Sequence, residues 1–370
     1  MHTPDHILDR FPSLTDEEMK RRLDHPGKPA RVIIDTDAAN EIDDQFAIAW
    51  ALLRPERLHL EGVTAEPFSF RHQREAIIES VRILRAGGPK TPEEGEFMGG
   101  FQGWAERLIK NDRRAEDIKF VGPDEGEELS YWEIIRVFEK CGVAHEGKVF
   151  RGSPGYLPSL DDPLVTPASD FIIERARANP DEPLYICAMG AVTNIASALL
   201  QAPDIIRNIV VIWTSAFPSS APQCNRPSLN LVQDQASSRL LFDCGVPHVY
   251  LPGYHVGAQL RISLPEMQRF VKGKGAIGDY LYHLYTHNPL HEKYAITDPE
   301  ERTWVIWDMI DIAWLFDPEW VPTTLCRSPV LTEDLYWQHP QGRHWMREAY
   351  DINRDAIFID FYRCLERAPA

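Results

Sequence analysis

Short apolar runs alternate with amphipathic stretches along most of this chain. Residues 31–35, 58–65, 149–151, 184–188, 209–213 and 249–251 are rich in β-branched and aliphatic side chains and read as strands. Helical spacing fills the intervals at 73–85, 131–141, 168–178, 194–200 and 235–243. Continuous apolar strands joined through helices predict an α/β fold, with a mostly parallel central sheet and helices on both faces. Ser13-Leu14-Thr15-Asp16-Glu17-Glu18 has the form of a capping box and predicts a short helix near the start. Gly87-Gly88-Pro89 stop the helix before them. Residues 88–129 are charged and rich in Gly and Pro, and read as a partly helical insertion, a lid or solvated decoration, in one domain spanning 1–370. An apolar helix is predicted over 305–313, with Asp308 inside it, and a closing helix near 355–361.

The chemistry concentrates at the end of the first strand. Val32-Ile33-Ile34 run into Asp35-Thr36-Asp37, and Asn40-Glu41-Ile42-Asp43-Asp44 follow before a helix over 45–53. Carboxylates at the C-terminal end of a parallel strand sit where open α/β sheets bind ligands. Their mutual repulsion calls for a hard cation, and oxygen-only ligands indicate Ca²⁺ or Mg²⁺. Asp43 or Asp44 also suits a helix N-cap, which accounts for one carboxylate or two but not for Asp35 and Asp37. Asp308, in an apolar run, would be costly to bury unpaired and is a further ligand candidate.

Composition narrows the partners. The chain has 370 residues, 44% of them hydrophobic, enough for a large core, and a net charge of −17. That charge repels phosphate backbones and anionic membranes, so nucleic acid and membrane are not expected partners and a small molecule is. Six scattered cysteines form no Cys-x-x-Cys pair, which argues against zinc and redox motifs. The N-terminus has no basic-then-apolar signal, and the expectation is a cytoplasmic protein.

Asp-x-Asp, a short turn, then Asp-Asp and an apolar helix resembles the calcium site of the nucleoside hydrolases, the inosine-uridine type N-ribohydrolases. The family's turn is Pro-Gly and one more residue; Ala38-Ala39-Asn40-Glu41-Ile42 is two residues longer, the mark of a divergent member. Met189-Gly190-Ala191-Val192-Thr193-Asn194 resembles the family's Gly-x-Leu-Thr-Asn segment, which implies that the Met189 carbonyl binds Ca²⁺; Thr193-Asn194 also suit a helix N-cap. Ser228-Leu229-Asn230 stands where the family has Glu-Phe-Asn, and Trp307-Asp308 where it has His-Asp.

The resemblance implies Ca²⁺ held by Asp37, Asp44, Asp308 and the Met189 carbonyl, and hydrolysis of an N-glycosidic bond with Asp37 as general base. The substrate side is expected from Asn40, Glu41 and Asp43 in the first turn, Glu66 after the second strand, and Trp213, Asn225, Asn230 and Trp307. Asn225 or Glu41 would replace the family's Glu. The family's proton-donating His is absent, and Trp307 can stack on a base but cannot protonate it; His255, His287 and Tyr254 are the other candidates for activating the leaving group. A homodimer or homotetramer is implied. Two other readings are a Ca²⁺-dependent sugar or nucleoside-binding protein without turnover, and a structural protein with an acidic metal staple.

Overall fold

Strand β1, Ala30–Thr36, is buried at every position, and its neighbours explain why. It lies between β2, Leu58–Ala65, and β4, Leu184–Ala188, parallel to both. The computed structural model describes residues 3–369. Its main sheet adds β3 (Val149–Phe150), β5 (Ile209–Ser215), β6 (His248–Pro252), β7 (Thr323–Arg327) and β8 (Trp345–Ala349), in the order β3-β2-β1-β4-β5-β6-β8-β7. All pairings are parallel except β8 with β7. The strand order reverses between β1 and β4, and the crevice beyond the carboxyl ends of two such strands is where doubly wound sheets bind ligands.

Strand alternation divides the core into two layers. Val32 and Ile34 of β1, Tyr185 and Cys187 of β4, and Val210 and Ile212 of β5 face one way, onto the helices Asp43–Leu52, Met309–Phe316 and Arg354–Leu365. Ile33, Ile186, Val211 and Trp213 face the other, onto Pro167–Ala178, Thr193–Gln201 and Gln235–Asp243. Each fully buried large side chain contributes roughly 1.5–3 kcal/mol, so both faces need their helices.

Several expectations are met with shifted bounds. Thr15 caps Asp16–Leu23 in a reciprocal capping box with Glu18. The helix expected over 131–141 begins earlier, as Pro123–Lys140, because Pro123 supplies a ready-made first turn. Residues 92–117 form two short helices and a 3₁₀ turn, and Trp104, Ala105 and Leu108 pack on Ile77 and Val81 of the helix Arg74–Arg85. The helix expected over 305–313 is instead a strand, Thr303–Val305, and a helix starting at Met309. Asp308 therefore sits at a helix N-terminus, not inside a helix. No helix among the described residues is long and apolar enough to cross a membrane.

Candidate active site

Two helix N-termini converge on the ends of β1 and β4. Asp43 and Asp44 open the helix Asp43–Leu52, and Asp308 stands at the N-cap position of Met309–Phe316 without a side-chain capping bond. One carboxylate oxygen from each of the three lies within 4.8 Å of the others, and all three residues are buried. Helix dipoles favour negative charge at both positions but do not cancel the repulsion among three carboxylates. Burial, then the charges of Asp43 and Asp44, pushes Asp308 well above the usual carboxylate range. Asp43 is raised by burial, then by Glu41 and Asp44. Asp44 is pushed up to about 7 by burial, against a hydrogen bond from the Thr36 hydroxyl.

Asp37 adjoins this cluster and is fully buried. Neither of its oxygens has a hydrogen-bond partner among the described residues, and Asp44 Oδ2 has none either. Burial and the charge of Asp44 raise Asp37 strongly; the Asn40 and Gln233 amides lie near enough to favour its charged form without closing a hydrogen bond on it. Gly190 makes room for it, since a Cβ there would stand 3.0 Å from Asp37 Cγ. Orphaned, buried, oxygen-only donors at high negative charge density fit a hard divalent cation.

Asp35, the fourth aspartate of the motif, turns away into a network beneath the site. It accepts from Thr64 Oγ1 at 2.5 Å and Asn194 Nδ2 at 3.0 Å. Asn194 also donates to the Ala65 carbonyl at 2.9 Å, takes the Ser153 amide and hydroxyl on its own oxygen, and gives its backbone N–H to Glu66 Oε1 at 2.7 Å. Asn194 is thus the hub that ties β1, β2 and the 152–155 loop together, and Val192, not Thr193 or Asn194, occupies the N-cap. Burial, then the charge of Asp35, raises Glu66, and burial raises Asp35.

Above the carboxylates is a cavity of about 170 Å³. Asn40, Glu41, Asp43, Met189, Ser228, Asn230, Trp307 and Asp308 line it, with Phe70, Gln73, Thr214, Tyr254 and Tyr294. Asn230 donates to the Met189 and Thr214 carbonyls, both at 3.1 Å, which leaves its Oδ1 without a partner among the described residues. Ser228, in place of the family's Glu, is spent on Ser215 Oγ and the Ala216 amide. Trp307 meets Tyr254 edge-on at 5.7 Å, giving an aromatic wall opposite the acidic floor. A larger open hollow of about 780 Å³ flanks Leu58, His59 and Glu61, but Glu61 is neutralised there by Arg31 and Arg175.

Five sequence candidates lie elsewhere. Trp213 is fully buried and donates to the Gly190 carbonyl at 3.0 Å; alternation along β5 points it into the second core layer, and Thr214 faces the cavity instead. Asn225 pins a loop, accepting from Phe217 N and donating to the Leu335 carbonyl, both at 3.0 Å. Glu66 belongs to the Asn194 network, one layer below. His255 and His287 are exposed and line no part of the cavity. Phe70, Gln73, Lys293 and Tyr294 escaped sequence reading, since they come from segments without a motif.

The fold is that of an open, doubly wound α/β sheet with an acidic site at its switch point. The family profile described as "inosine-uridine preferring nucleoside hydrolase" matches residues 32–358, and the chain belongs to that family. It is 32% identical over 104 residues to an uncharacterized protein of Schizosaccharomyces pombe, covering 28% of this chain and 33% of that one. It is 28% identical over 179 residues to the non-specific ribonucleoside hydrolase RihC of Salmonella newport, covering 47% of this chain and 54% of that one. These matches span about a third and about half of the relatives' lengths. Among solved structures, the purine-preferring ribonucleoside hydrolase of Gardnerella vaginalis matches with a TM-score of 0.58 at 18% identity, over 91% of this chain and 98% of that one.

Proposed function

We propose that this protein hydrolyses the N-glycosidic bond of a ribonucleoside or a related ribosyl compound, with Ca²⁺ held by Asp37, Asp44, Asp308 and the Met189 carbonyl. The observation that carries this reading is the set of unpartnered, buried oxygens of Asp37 and Asp44 beside the Asp43 and Asp308 carboxylates that line a cavity, in a chain of this family. When bound, the cation supplies charge compensation, a more acidic water and a hold on the sugar diol. Asp37 takes the proton of the attacking water, which its free oxygens and burial suit it to do. Asp43, Asn40 and the free Oδ1 of Asn230 accept from the sugar hydroxyls and orient the anomeric carbon. The surrounding carboxylates stabilise the positive charge that develops on the ribosyl group as the C–N bond breaks. Phe70, Tyr254, Tyr294 and Trp307 offer rings on which the departing base stacks.

Asp37→Ala tests the assignment, because it removes a ligand and the base together. Turnover should fall by about 10³-fold or more. Near-wild-type turnover would remove Asp37 from the mechanism. Nucleoside binding without sugar release by the unmodified protein would favour the binding-protein reading.

A further inference from the structure

We propose that Lys293 is the proton donor to the leaving base, taking the part that Trp307 cannot play. The inference rests on the nucleosidase reading above and assigns a residue that no motif marks.

The segment carrying Lys293 is built to hold it. The carbonyls of residues 292–295 each accept a hydrogen bond from a different side chain of the inserted segment: Arg113, Trp104 (2.9 Å), Arg107 (2.8 Å) and Asn111 (3.0 Å) in that order. Trp104 also packs edge-on against Tyr294 at 4.8 Å. Ala295 ends the segment in the left-handed region, at φ 52°, a conformation an alanine keeps only when its surroundings enforce it. Four side chains on four successive carbonyls are more than a solvated decoration requires.

The ammonium they place lies against Phe70, a wall residue of the cavity. Its Nζ stands 3.0 Å from the centre of the Phe70 ring, and Glu41 acts on it electrostatically without a salt bridge. Phe70, Glu41 and Tyr294 all line the cavity. None of the described residues accepts a hydrogen bond from the ammonium; one face of it is turned to the Phe70 ring, and the donors on its other side are open to a substrate. Burial lowers its pKa to about 7, against the pull of Glu41, which matches a general acid to neutral pH. Tyr254 is a poorer donor: its hydroxyl is given to the Pro227 carbonyl at 2.9 Å, and burial pushes it up to about 12.

The step balances. As the C1′–N bond breaks, its electron pair moves into the base, and a ring nitrogen takes a proton from Lys293 Nζ. Water forms the new C1′–O bond and gives its proton to Asp37. After the products depart, Asp37 releases its proton to solvent and lysine recovers one from it.

The test compares inosine with 4-nitrophenyl riboside, whose leaving group is acidic enough to depart without protonation, in calcium-containing buffer. Lys293→Met should lower kcat/KM on inosine by about 100-fold or more and on the nitrophenyl riboside by a much smaller factor. The retained aryl activity also shows that the variant is folded. The alkaline limb of the wild-type inosine profile should be absent from the variant. Glu41, raised to about 7, and His72, lowered by burial, also face this ammonium, and both remain in the variant, so a limb that survives belongs to them. Equal losses on both substrates, no loss on either, or a surviving limb would overturn the assignment. If the wild-type protein cleaves the aryl riboside but no nucleoside, Lys293 is not a leaving-group acid. If it cleaves neither, the nucleosidase reading fails and the assignment falls with it.

Discussion

Replacing Asp308 by Asn removes one charge from the cluster with little change of shape, and its effect should change sign with calcium. Without a cation, Asp308 faces Asp43 and Asp44 with oxygens within 4.8 Å. At an effective dielectric of about 20, two full charges at that distance repel by about 3 kcal/mol. Proton uptake offsets part of this, in the direction in which burial and mutual charge raise the Asp43, Asp44 and Asp308 carboxyls. The amide should therefore stabilise the cation-free protein by about 1–2 kcal/mol, a rise in Tm of about 1–3 °C for a chain of 370 residues. With calcium the balance reverses. A cation at 100 times its Kd stabilises the wild type by about 2.7 kcal/mol, and the variant, short of one carboxylate, loses most of that gain. Thermal unfolding in chelator and in millimolar Ca²⁺ reads both arms. A variant that melts below the wild type in chelator, or that gains as much from calcium, would refute the view that these carboxylates are strained against one another and relieved by a metal.

The calcium-induced rise in Tm should be larger at pH 8 than at pH 5.5. Asp44, at about 7 in the folded protein, is raised above its unfolded value. Its contribution to cation-free stability is thus complete below about pH 4 and is lost as pH rises through 7, where calcium takes the protons' place; equal shifts at both pH values would count against proton–metal competition. Gly190→Ala should lower kcat by about 10- to 100-fold with little loss of stability, because its Cβ would press on Asp37 Cγ at 3.0 Å; wild-type kcat would mean that the Asp37 position is not critical.

Legibility followed the range of the interactions involved. Strands β1, β4, β5 and β6 were readable because every residue in them is buried, which demands mostly apolar side chains. Strand β7, Thr-Thr-Leu-Cys-Arg, is an edge strand with no fully buried residue, and neither it nor β8 announces itself. In the site, Asp37, Asp43 and Asp44 stood in one motif, and Asp308 drew attention as a charge in an apolar run. Asp35 misled because adjacency in sequence does not show that Thr64 and Asn194 claim its oxygen. Trp213 misled by a single position, which in a strand is the opposite face. Lys293 was illegible because its placement depends on Trp104, Arg107 and Asn111, which hold the carbonyls of residues 293–295 from about 180 residues earlier in the chain.

The central claim is most directly tested by reducing-sugar release from a panel of purine and pyrimidine ribonucleosides, with the protein in calcium and in chelator. The account predicts ribose release from at least one nucleoside in calcium, abolished by chelator and restored when calcium is returned. Release that chelator leaves untouched, or no release from any nucleoside by a protein that binds calcium, would contradict it.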